Sequence, residues 1–76
     1  MNKRKYNIEH AGWLLSSFAE TNIAKGIKLF DSLPESDKPK AQAYCDLCVS
    51  EMAEGASEKM ENALAERVEI IKRLRG

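Results

Sequence analysis

Seventy-six residues with 12 basic and 12 acidic side chains, one tryptophan and two cysteines make at most one domain, near the size where a core supplies about 3 to 5 kcal/mol. Zero formal charge argues against a dedicated nucleic-acid binder, whose footprint is normally a net basic domain, and apolar runs of two or three residues exclude a membrane-spanning helix. With no apolar signal segment, the chain is expected to be soluble and cytoplasmic, with oligomerisation or a partner in place of disulfides as its stabilising aid.

The charges are unevenly placed. Lys3, Arg4 and Lys5 make the start basic and Lys72, Arg73 and Arg75 the end, whereas residues 41–69 carry seven acids against Lys59 and Arg67, a net minus five. Residues 1–6 are expected to form a flexible basic tail. Beyond them apolar residues recur at spacings of three and four, with no strand-length alternation, so the chain is predicted to be all-α.

A first helix is predicted after Asn7, a good N-cap, running to about Glu20. On it Ile8, Ala11, Leu15, Phe18 and Ala19 fall within roughly 100° of one another, while Trp13 lies about 140° from Ile8, with Tyr6 on Trp13's side. Large apolar groups off the stripe mark a surface made to be covered. Thr21 and Asn22 suit the cap of a second segment carrying Ile23, Ile27, Phe30 and Leu33. Extending the count through them shifts the stripe by only about 60°, so one bent helix over 8–33 fits equally.

Pro34 ends that segment. Glu35 to Lys38 form a polar connector short enough for a helical hairpin, with Ser36 or Asp37 as cap and Pro39 in the next first turn. The following stripe centres on Ala41, Tyr44, Cys45, Cys48 and Met52; past Gly55 it becomes Met60, Leu64, Val68, Ile71 and Leu74. A straight helix through Gly55 would rotate one stripe roughly 110° from the other, so a break is predicted there. The last helix opens with acids and closes with Lys72, Arg73 and Arg75, complementing its dipole. Its apolar arc, from Ile70 through Met60 to Val68, spans about 160°, wider than one seam needs. One edge is therefore expected to meet a second chain.

An offset of 34 residues pairs Ser16 with Ser50, Ala19 with Ala53, Glu20 with Glu54 and Lys25 with Lys59. That is the period of some helix-pair repeats. Four identities are little more than two amphipathic hairpins share by chance, and Gly26 falls opposite bulky Met60, so no repeat is assigned.

Chemistry is sparse. Cys45-Asp46-Leu47-Cys48 is a C-x-x-C without the βαβ setting of a redox site, and zinc would need two further ligands, for which His10 is the one other strong candidate unless two chains complete a four-thiolate site across a dimer axis. Both cysteines lie mid-stripe, where thiols pack as small hydrophobes. His10 sits on a polar flank without a Ser or Cys partner, and is expected to be solvated. Glu58 and Glu61 form close carboxylates opposite the stripe, again on a solvated face. No catalytic, cofactor or metal residue is assigned.

The expected architecture is thus a small bundle of three to four helices, two helical hairpins completed by homodimerisation. The expected function is a non-enzymatic protein-binding regulator that docks through Tyr6, Trp13, Met60, Ile70 and Leu74. Its acidic stretch would favour a basic partner such as a nucleic-acid-binding transcription regulator, in the manner of an antirepressor or inhibitor. The alternative is a small dimeric DNA-binding regulator using the basic ends and Lys38, Lys40 and Gln42.

Overall fold

Asn2 decides where the first helix begins. In the computed structural model, which describes residues 2–76, its side chain accepts from the Lys5 N–H at 3.2 Å and helix α1 spans Lys3–Leu15. A donor that the first turn leaves free is thereby satisfied. The sequence expectation is corrected here: Lys3 to Tyr6 are helical, not a flexible tail, and Asn7 lies inside the helix. Met1, the first residue of that tail, lies outside the described residues.

Three cations in a first turn oppose the helix dipole, and a distant carboxylate compensates one of them. The Arg4 Nε donates to both oxygens of Asp37 at 3.0 and 2.8 Å, and Nη2 to Oδ1 at 2.6 Å. Asp37 has no exposed side-chain surface although Arg4 is 60% exposed, so the carboxylate lies shallow, under the guanidinium that binds it. Hydrogen bonding from Arg4 holds the Asp37 carboxyl below its ordinary range, against the opposing effect of desolvation. Asp37 does occupy the N-cap position of the third helix, yet its side chain makes no cap hydrogen bond there.

Residues 8–33 form two helices. Ser16 closes α1, its N–H reaching the Gly12 carbonyl at 3.1 Å and its hydroxyl the Trp13 carbonyl at 2.7 Å. Ser17 Oγ then accepts from the Ala19 N–H and from Asn22 Nδ2, and α2, Glu20–Ser32, has Ala19 as its N-cap residue, with Thr21 and Asn22 inside the helix and not at its cap. Helix α3 spans Lys38–Ala53 with Pro39 in its first turn. Gly55 breaks the chain at φ +68°, a left-handed conformation that favours glycine. Ser57 accepts from the Met60 N–H to cap α4, Glu58–Arg75, with Glu58 and Glu61 in the first turn and Lys72, Arg73 and Arg75 in the last.

Helix α1 is the central element, packed between α2 and α3, and glycine makes both approaches close. A Cβ on Gly26 would stand 2.8 Å from the Leu15 backbone nitrogen, and one on Gly12 2.8 Å from the Ala41 carbonyl oxygen. Around these crossings Ala11, Leu33 and Ala41 are buried, with Ile8, Leu29 and Phe30 against them. Leu14, Leu15, Ile23 and Cys45 are also buried. The described residues form an all-helical fold of four helices, in which the two expected hairpins are packed unequally. Helices α1 and α2 make one, whereas α3 packs chiefly on α1 and lightly on α4, because Gly12 lets α1 come closest to α3.

Helix α4 is tied to its neighbours by contacts at its C-terminal end and by one buried arginine. Arg73 pairs with Glu20, Arg75 stands 3.5 Å from Asp31 and its guanidinium carbon 5.6 Å from the centre of the Phe30 ring, all on α2. Among the described residues no helix is long and apolar enough to cross a membrane.

Gly26→Ala is expected to destabilise the fold by about 1–2 kcal/mol in chemical denaturation, since backbone overlap outweighs the gain of roughly 1 kcal/mol in helix propensity. Because Asp37 is more acidic folded than unfolded, its stabilisation is present above the unfolded carboxyl pKa and is lost as pH falls through the lower folded value. Arg4→Gln is therefore expected to lower Tm at neutral pH, and its difference from wild type to fade at about pH 2, as followed by thermal melts across pH.

Candidate functional site

Two surfaces carry side chains whose placement the core does not explain. The first is a ridge along the outer flank of α1. Residues at i, i+4 and i+7 share one side of a helix, and Tyr6, His10 and Trp13 use that spacing to stack. The Tyr6 and His10 rings lie 5.3 Å apart at 20°, and the His10 and Trp13 rings 6.1 Å apart at 16°. Tyr6 is 59% and Trp13 56% exposed, while His10 is half-buried between them. The imidazole, expected as an isolated solvated group, thus fixes the two aromatic rings in a row. Beside Trp13 a groove of about 410 Å³ runs to α3, lined by Phe18, Cys48, Glu51 and Met52.

The other candidate docking residues are on a different element. Met60 and Ile70 are half-buried on α4, and Leu74 and Val68 are partly exposed. Helix α4 packs on α2 and α3 and reaches α1 through Arg67. The structure therefore joins Tyr6 to Trp13 through His10 and leaves Met60, Ile70 and Leu74 on a separate α4 surface.

The second surface surrounds Arg67, a residue the sequence pattern conceals. It lies within the apolar arc of α4, with Met60, Ala63, Ile70, Ile71 and Leu74 at spacings of three, four and seven, and is only 5% exposed. Its Nη2 donates to the Leu15 carbonyl, one of the last carbonyls of α1, and to Cys45 Sγ at 3.4 Å; its buried Nε has no acceptor. A cation at a helix C-terminus is favoured by the dipole, so Arg67 fastens α4 to α1 and α3. The signal for it in the sequence is a charge at the centre of an apolar arc.

Cys45 is buried and Cys48 half-buried, both as free thiols. Burial pushes the Cys45 thiol up, against the pull of the Arg67 guanidinium. At neutral pH it is a protonated thiol, neither a nucleophile nor a counter-ion. Among the described residues no group of three or more His, Cys, Asp or Glu is placed to hold a metal ion. Comparison of the chain with protein-family models, with curated proteins and with solved structures finds no match.

In a Cys48→Ser background, Cys45 is expected to react with iodoacetamide at least about tenfold more slowly than the same chain unfolded in denaturant, by mass spectrometry of the alkylated fraction. Equal rates would show an accessible thiolate.

Proposed function

We propose that this chain is a small non-enzymatic regulator that acts by docking its α1 ridge on a partner protein. The observation that carries this is the row of Tyr6, His10 and Trp13, ordered by mutual stacking while both end rings stay more than half exposed. Tyr and Trp dominate interface energetics because they bury large areas with few torsions to freeze. Rings already held in place lose still less on binding. The groove between Trp13 and Met52 gives a partner side chain a place to insert beside the ridge.

The acids of α3 and α4 favour a basic partner surface, such as the nucleic-acid-facing side of a transcription regulator, and so an inhibitor or antirepressor role in the cytoplasm. Homodimerisation belongs to the same proposal, with Leu74, Ile70 and Met60 of α4 as the contact. The alternative, DNA binding through the basic ends, draws less support. Arg4, Lys72, Arg73 and Arg75 each pair with a carboxylate of the chain itself, which reduces their charge toward phosphate.

Trp13→Ala tests the reading. An exposed ring contributes little to the core, so stability is expected to change by less than about 1 kcal/mol, against roughly 3–5 kcal/mol for a core tryptophan. Affinity capture from source cells should recover one stoichiometric protein with the wild-type chain, with binding weakened about 30-fold or more by the substitution. Recovery of the same protein by both chains, or of nucleic acid alone, would overturn it.

A further inference from the structure

We propose that the groove over Arg67 is a binding site for a small organic anion, a carboxylate or phosphate monoester with an apolar body. The site lies on a different face from the Tyr6–Trp13 ridge and does not depend on the docking function.

A buried guanidinium is costly unless a negative charge and full hydrogen bonding accompany it. Here it has neither. Its ion-pair partner is no carboxylate of the chain among the described residues, its sulfur neighbour is a protonated thiol, and the carbonyl of Leu15 offers only the partial charge of a helix end. The unpartnered Nε–H marks donor capacity that the fold does not use.

The space next to this cation has the dimensions of a ligand site. It measures about 340 Å³ and is walled by Leu15, Val49 and Ile71, with Gln42 and Ser50 as polar side chains; small-molecule sites begin at about 300 Å³. Arg75 stands at the same groove two helical turns beyond Arg67, sharing its charge with Asp31 at 3.5 Å outside the lining, and Asp46 is the one acid lining it. The Asp46 Oδ1 accepts from Gln42 Nε2 at 2.9 Å, so that carboxylate is turned to its own helix. Both Nη2 hydrogens of Arg67 are committed to Leu15 and Cys45, so the guanidinium offers an anionic oxygen its charge and its Nη1 donors. The anionic head is assigned to Arg67, the apolar body to Leu15, Val49 and Ile71, and the rim to Arg75.

The test is a titration of the ¹⁵N-labelled chain at fixed ionic strength with benzoate, with phenyl phosphate and with neutral benzamide. One or both anions should give saturable shifts at Gln42, Asp46, Ser50 and Ile71, and benzamide none; whichever anion saturates distinguishes the carboxylate from the phosphate ligand. Arg75→Gln, which leaves the Arg67 bond to Leu15 in place, should weaken binding about tenfold. Trp13→Ala should leave it unchanged, so the fate of this site and that of the docking ridge are read separately. Absence of saturation with both anions at about 10 mM, equal binding of benzamide, or undiminished affinity in Arg75→Gln would overturn the proposal.

Discussion

The bundle rests on how closely α1 approaches its two neighbours. Gly26 sets the α1–α2 distance and Gly12 the α1–α3 distance, each with backbone atoms standing where a Cβ would need to be. Most large side chains are thereby kept out of the crossings, and the core is built from Ala11, Ala41, Cys45 and a few leucines and isoleucines. Dense packing of small residues lets a chain of 76 residues close a core in which the aromatics, Phe30 and Tyr44, are only half-buried at the margin. Trp13 and Tyr6 are accordingly free to sit outside it.

The fourth helix follows a different logic. None of its apolar residues is fully buried, and the one deeply buried side chain on it is Arg67. Polar contacts add to this partial burial: Arg67 with the last turn of α1, Arg73 with Glu20, and Arg75 with Asp31 and Phe30. The outer pairs are solvent-exposed and contribute little each. The inner one is irreplaceable by an aliphatic residue without leaving the Leu15 carbonyl short of its donor.

The helical class, the turn at Pro34, the break at Gly55 and the charge order of the last helix are all legible in the sequence, because each follows from local chemistry: a ring that cannot continue a helix, a residue that tolerates positive φ, charges that match a dipole. The off-stripe position of Trp13 is legible for the same reason. The start of α1 is not, since it depends on Asp37, 33 residues away from Arg4, and on Asn2 competing with Asn7 as cap. Nor is the role of His10, whose stacking requires knowing that Tyr6 is already helical. Arg67 is missed because apolar arcs are drawn through apolar residues, and a charge within one is read past.

The exposed position of the only tryptophan also determines what light can report about this molecule. An indole that is largely wet in the native state changes its surroundings little on unfolding, so its emission is a poor gauge of the fold. Covering that same ring with another surface removes its water. Intrinsic fluorescence here is a built-in reporter of contact, and stability has to be followed through the helical backbone.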